Sequence, residues 1–132
     1  MTHRFIDLPN LGDERGRLMF AEAERHIPFV IRRVYALYGV HPEAARGAHA
    51  HRKLEQCFFA LSGSFRIHLD DRRRQDSFIL DNPARALYVG PMTWRNLTDF
   101  TPGAACLVLA SEYFDEQDYI RNFDRFREEV GR

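Results

Sequence analysis

Between Gln56 and Leu69 two apolar runs, Gln56 to Leu61 and Phe65 to Leu69, flank the tripeptide Ser62-Gly63-Ser64. Beyond that turn, Phe65, Ile67 and Leu69 alternate with Arg66 and His68. Successive side chains on a strand point to opposite faces, so a period of two marks a half-buried strand. A short glycine-centred break between two such runs marks a hairpin. A chain that folds this way has one apolar sheet face to cover with a second layer.

The same pattern recurs along the sequence. His3 to Leu8, Arg17 to Ala21 and Phe29 to Tyr38 read as strands, with Asp13-Glu14-Arg15-Gly16 as the turn between the first two. Phe78 to Leu80, Ala86 to Val89, Thr93 to Leu97 and Cys106 to Ala110 follow, separated by turns such as Asp81-Asn82-Pro83 and Gly90-Pro91. Short strands at this spacing predict an antiparallel sandwich or barrel. Tyr119, Ile120, Phe123 and Phe126 form a helix-spaced stripe, which predicts one C-terminal helix over about 115–129 with Asp115 as N-cap. The 132 residues are expected to form a single domain, 1–132.

The residues with the most chemical content are His49 and His51, spaced i, i+2 within Arg46-Gly-Ala-His-Ala-His-Arg-Lys-Leu-Glu-Gln56. On a strand they share a face. Imidazole titrates nearest neutrality, so the pair suits metal ligation or proton transfer. A formal net charge of zero argues against general binding to nucleic acid or an acidic membrane. Lys53 is the only lysine, so the positive charge is carried by arginine, the better side chain for forked contacts to phosphate. Cys57 and Cys106 lie in apolar runs and read as buried thiols, while His3, His26, His41 and His68 read as surface residues. No signal peptide or membrane-length apolar run is evident, so a cytoplasmic protein is expected.

The histidine block resembles the first motif of the cupin barrels: His-x-His, three or four residues, Glu, six residues, Gly. Here His49-Ala50-His51 is followed after four residues by Gln56 and after six more by Gly63. An amide stands where the carboxylate belongs, and Glu55 is one residue out of register, facing the other way. At the place of the family's last metal-binding histidine the chain has Gly90-Pro91-Met92-Thr93-Trp94-Arg95, which ends in an arginine. Two imidazoles beside a fixed cation make a poor ligand set, so no metal is expected.

The resemblance narrows to the WxcM-like sugar 3,4-ketoisomerases, cupins that act on thymidine-diphosphate-4-keto-6-deoxyglucose (dTDP-4-keto-6-deoxyglucose). The stretches that carry it run nearly the whole length. They include Asp13 to Leu18, Ile27-Pro28-Phe29, Arg32-Arg33-Val34-Tyr35, Arg46 to Gln56 and Leu61 to Ser64. Further on come Leu87 to Pro91, Trp94-Arg95 and Val108 to Tyr113, continuing to Asp118-Tyr119-Ile120-Arg121. The resemblance implies an all-β jelly-roll barrel with one short C-terminal helix, and a homodimer that often exchanges N-terminal strands. It implies an isomerase of deoxysugar and polysaccharide biosynthesis that moves a carbonyl from C4 to C3 through an enediol, with no cofactor.

In that scheme His49 takes the C3 proton, His51 returns a proton or polarises oxygen, and Tyr35 shuttles the hydroxyl proton. Arg15 and Arg95 match pocket positions that vary with product stereochemistry, and Arg33 and Arg46 are the candidates for the diphosphate. Competing expectations are a 3,5-epimerase of the same substrate class, a non-catalytic sugar-nucleotide-binding cupin, and a metal-dependent cupin oxygenase, which Gln56 and Arg95 disfavour.

Overall fold

The structure, a computed structural model, describes residues 2–131. In chain order its strands are β1 (His3–Asp7), β2 (Asn10–Asp13), β3 (Gly16–Met19), β4 (Arg33–Tyr38), β5 (Arg46–His51) and β6 (Gln56–Ser62). They continue with β7 (Phe65–Asp70), β8 (Gln75–Leu80), β9 (Arg85–Val89), β10 (Trp94–Thr98), β11 (Ala105–Ala110) and β12 (Tyr119–Ile120). One helix, α1 (Phe123–Val130), closes the chain. Two five-stranded antiparallel sheets, ordered β1-β9-β6-β11-β4 and β12-β5-β10-β7-β8, face each other as a jelly roll, and β2 and β3 form a separate hairpin.

The space between the sheets is filled by the side chains that the alternation assigned inward. Phe65, Ile67 and Leu69 of β7 are buried against Phe58, Leu87, Leu97, Cys106 and Val108. Strand β6 is buried on both faces, because Ile27 and Phe29 fold over the back of the first sheet against Cys57 and Phe59. This is why Gln56 to Ala60 reads as a continuous run with no alternation. It also moves Phe29, expected to open a long strand, into the covering segment, so that β4 begins only at Arg33. Gly63 turns the β6–β7 hairpin at φ +60°, and a Cβ there would lie 2.6 Å from Thr101 Oγ1.

The predicted helix over 115–129 is three pieces. Asp115 does cap, but only a single 3₁₀ turn, Glu116–Asp118, accepting from the Gln117 amide. The Asp118 carboxylate is claimed by the backbone amides of Lys53 and Leu54 at 2.8 and 3.2 Å. That contact pulls the chain out of helical geometry and lays β12 along β5, Tyr119 opposite His51 and Ile120 opposite Ala50. Asn122 then caps α1 by accepting from the Arg125 amide, and Gly131 ends it in the left-handed region. Phe126, fully buried with Ile120 and Ala50, clamps α1 over β5 and β12.

A second expectation fails at His3. It is 4 % exposed, and its Nε2 lies 2.8 Å from Asp76 on β8, tying the first strand to the other sheet. Because Phe126 holds the strand that carries Tyr119, Phe126→Ala is expected to cost about 3–5 kcal/mol of unfolding free energy. Urea denaturation checks this, and a loss under about 1 kcal/mol would show that α1 does not anchor β12.

Candidate active site

Strand β5 carries a one-residue irregularity that shapes the site. Against β10, His49 lies opposite Arg95 but Arg46 opposite Leu97, so three steps on β5 match two on its neighbour. Gly47, at φ +75°, supplies the positive φ that such a bulge requires. In strict alternation residues 46 and 49 would point to opposite faces; the bulge sends both into one cavity. The cavity, ≈ 380 Å³, opens between the sheets and is lined by His49, Tyr35, Arg33, Arg46, Arg95 and Arg121, with Phe114 and Tyr119 at its wall. That volume is in the range of small-ligand sites.

The structure therefore brings Tyr35, Arg33, Arg46, His49 and Arg95 together at one cavity, and leaves two of the candidate residues elsewhere. His51 is 1 % exposed and sits behind His49, with ring centroids 4.7 Å apart. It faces Tyr119, not the cavity, at 4.4 Å. Its Nδ1 is 3.3 Å from Asp118 Oδ2 but outside hydrogen-bond geometry. It does not line the cavity, so this geometry does not place it to return a proton or polarise an oxygen directly. Arg15, at the tip of the β2–β3 hairpin, is 85 % exposed, paired with Asp13 at 2.6 Å and remote from this chain's cavity.

Sequence reasoning overlooked Tyr119 and Arg121. Tyr119 packs edge-on against His49 at 4.9 Å, and the Arg121 guanidinium stacks over the Tyr119 ring at 4.2 Å while pairing with Glu116. Both lie within a stretch that matches the family, but assigning that stretch to a helix consigned Tyr119 to packing. Gln56 was noticed only for not being a carboxylate. It is 1 % exposed and bonded on both sides: Arg95 donates to its Oε1, and its Nε2 donates to the Tyr35 hydroxyl oxygen at 2.9 Å. Arg95 spends a second nitrogen on the Thr93 carbonyl at 2.8 Å. As expected, Glu55 faces away, accepting from Tyr88 at 2.6 Å.

The electrostatics follow from burial next to cations. His49 is pushed down to about 3, first by desolvation and then by the charges of Arg95 and Arg121. His51 is lowered further for the same leading reason, with Arg95 and His49 adding to it. Both rings are neutral at pH 7. Burial lowers Arg95 to about 10, which leaves it charged. Tyr35 is raised, chiefly by desolvation, and stays protonated. Cys57 and Cys106, buried and free, are pushed up to about 12 and are poor nucleophiles.

Cupins commonly hold a metal at this place, and these residues do not fit one. Among the described residues no group of three or more His, Cys, Asp or Glu side chains converges. Gln56 Oε1, at the position of the family's carboxylate, is already taken by a guanidinium, and the Asp118 carboxylate beside His51 accepts from the Lys53 and Leu54 amides. What remains is a neutral imidazole and a protonated phenol facing a cation-lined cavity. That set can take a proton from carbon, exchange one with oxygen and stabilise the anion formed between.

A family model described as "FdtA: WxcM-like, C-terminal" matches residues 1–131. The chain belongs to this family. A TDP-4-oxo-6-deoxy-alpha-D-glucose-3,4-oxoisomerase from Aneurinibacillus thermoaerophilus is 42 % identical over 132 residues, covering 100 % of this chain and 95 % of that protein. A crystal structure of a His-to-Asn mutant of the 3,4-ketoisomerase QdtA from Thermoanaerobacterium thermosaccharolyticum, in complex with TDP-4-keto-6-deoxyglucose, is 40 % identical. It superposes with a TM-score of 0.96, over 98 % of this chain and 94 % of that one. A 3,4-ketoisomerase from Helicobacter canadensis is 39 % identical with a TM-score of 0.96, covering 100 % and 99 %.

The lowered histidine values set a pH dependence of stability. Below about pH 6.5 the unfolded chain takes up protons on these imidazoles that the folded chain refuses until near pH 3, in the case of His49. Stability is therefore lost as pH falls through this window. In His49→Asn the decline between pH 7 and pH 4.5, followed by urea denaturation, is expected to be shallower than in wild type. An unchanged slope would mean that His49 titrates normally in the folded protein.

Proposed function

We propose that this protein is a sugar 3,4-ketoisomerase acting on TDP-4-keto-6-deoxyglucose, working as one cupin-like domain in the supply of deoxysugars for polysaccharides. The observation that carries the proposal is the placing of His49 and Tyr35 on one cavity whose charged lining is arginine. Identity near 40 % to ketoisomerases over nearly full length supports the same conclusion.

A ketone at C4 acidifies the hydrogen on C3. His49, uncharged, takes that proton from C3. Tyr35 gives its phenolic proton to O4 as the enediol forms, then recovers one from O3. The His49 imidazolium proton exchanges with solvent while the enediol is held, and His49 then delivers a proton to C4. The carbonyl has moved to C3, C4 bears hydrogen and hydroxyl, and both side chains end as they began. No electron leaves the sugar, so no redox partner is consumed. Arg95 lies opposite His49 and offsets the negative charge that develops on the oxygens. Arg33, Arg46 and Arg121 are the cations at hand for a diphosphate. His51 serves by packing, holding the His49 and Tyr119 rings.

The proposal includes a homodimer with exchanged hairpins, and a cytoplasmic location. Among the described residues β2 and β3 pair only with each other, and an isolated two-stranded hairpin is marginal in water. Leu11 and Leu18 lie bare on it, while the edge strand β4 bares Val34 and Tyr38. An edge of that kind calls for cover. Exchange would let each hairpin cover its partner and bring Arg15 toward the partner's cavity.

Incubating the protein with TDP-4-keto-6-deoxyglucose in deuterated water is expected to give a 3-keto product labelled at C4, read by NMR. Label at C3 and C5 with the ketone unmoved would instead mean epimerisation, and unchanged sugar would mean a binding module. His49→Asn is expected to lower turnover by at least the roughly 10²–10⁴-fold that a positioned acid–base group contributes, with the circular dichroism of the fold retained. Turnover near wild type would remove His49 as the base. Light scattering is expected to give a dimer mass for the wild type and a smaller one for Leu18→Glu. A monomeric wild type would defeat the exchange.

A further inference from the structure

We infer that Gln56 is a positioning residue for the reaction, fixing both free directions of the Tyr35 hydroxyl, one donor and one acceptor, toward the sugar. The inference rests on the ketoisomerase proposal and adds a residue to which that scheme gives no part.

The argument starts from what each group is able to do. A guanidinium has only donors. Arg95 is buried beside Gln56 and donates to it, so the atom facing Arg95 must be the amide oxygen. The amide orientation, ordinarily ambiguous between oxygen and nitrogen, is thereby set by its neighbour. Nε2 then faces Tyr35, and an amide nitrogen donates but does not accept. Tyr35 must accept from it. One lone pair of the phenol oxygen is occupied, and its proton cannot turn toward Gln56.

A tyrosine hydroxyl has one donor and two acceptor directions. With one acceptor direction spent in the wall, one donor and one acceptor remain, and Tyr35 lines the cavity. Carrying a proton from O3 to O4 requires that pair at the same oxygen: the phenol gives its hydrogen to O4 and receives another from O3. Atoms and charge balance with nothing supplied from outside.

A carboxylate at position 56 would reverse the arrangement. It would accept from Arg95 on one oxygen and from the Tyr35 hydroxyl on the other, drawing the phenolic hydrogen into the wall. It would also put a third metal-ligating side chain beside His49 and His51. The amide therefore does two things that a carboxylate would undo. It keeps the phenol proton available, and it adds no carboxylate of its own beside the imidazole pair.

The test is Gln56→Glu, close to isosteric and able to keep the bond to Arg95, assayed with chelator present so that adventitious metal does not contribute. The expected result is a fall in kcat of about 10²-fold, within the range of acid–base contributions, with KM within about threefold of wild type. In a Tyr35→Phe background the same change is expected to cost nothing further, because Gln56 acts only through the phenol. A Gln56→Glu kcat within about threefold of wild type, or losses that multiply in the double variant, would overturn the inference.

A readout free of turnover accompanies it. With tyrosine labelled at Cζ, the Tyr35 resonance is expected to move downfield in Gln56→Glu as the oxygen changes from acceptor to donor. No shift would likewise overturn the inference. If Gln56→Glu fails to fold, the wild-type spectrum decides: a Gln56 side-chain NH resonance is expected to move on Tyr35→Phe, and its constancy would show that the bond is absent. A wild type that leaves the ketosugar unconverted but shows these NMR shifts defeats the ketoisomerase proposal while the orientation of Tyr35 stands.

Discussion

A guanidinium 1 % exposed, with no carboxylate ion pair among the described residues, organises this site. Burying an ion without a counter-ion is costly, and the cost is met only where hydrogen-bond acceptors replace water. Arg95 has two: the Gln56 amide oxygen and the Thr93 carbonyl. Its Nε has none. A cation held this way projects its field into a cavity from which water is partly excluded, and three features of the site follow from it.

First, the field adds to burial in keeping the imidazoles uncharged. Desolvation leads in lowering both histidines, and Arg95 is the next cause for each. Second, the guanidinium takes the Gln56 side-chain oxygen, which stands where the cupin pattern has its carboxylate. The cupin frame is retained with a fixed protein cation set beside its imidazoles. Third, the same contact orients Gln56 and, through it, Tyr35. One buried charge thus adds to the lowering of His49 and fixes the amide that donates to Tyr35, while burial keeps the Tyr35 hydroxyl protonated against the pull of that same charge.

Much of the barrel was legible because its sheets obey simple alternation. Phe65, Ile67 and Leu69 were assigned inward and lie inward. What alternation could not show was where strict alternation breaks. The Gly47 bulge adds one residue to β5, and a pattern of period two has no means of signalling that Arg46 and His49 end on one side. A glycine inside a strand was the only local hint. The C-terminal segment misled for a different reason. Tyr119, Ile120, Phe123 and Phe126 have helical spacing, but the long-range bonds of Asp118 to the β5–β6 connection outweigh that local preference. Arg15 illustrates a further limit: position in the family pattern connects it to the pocket, whereas within one chain the hairpin holds it in solvent.

His49 at about 3 is a weak base, and a weak base removes a carbon-bound proton slowly unless its surroundings change when substrate arrives. The causes of the lowering contain the remedy. Arg121, one of the two cations that depress His49, lines the cavity together with Arg46. A diphosphate seated among these arginines places negative charge against positive charge and cancels part of the field at the imidazole. On the proposed reading, the group that would anchor the nucleotide sugar would also raise the basicity of His49. Binding and chemistry are coupled through charge, with no need for the ring to move. An arginine-lined pocket around a depressed histidine consequently favours proton abstraction from a sugar that carries its own anion over abstraction from a neutral one of the same shape.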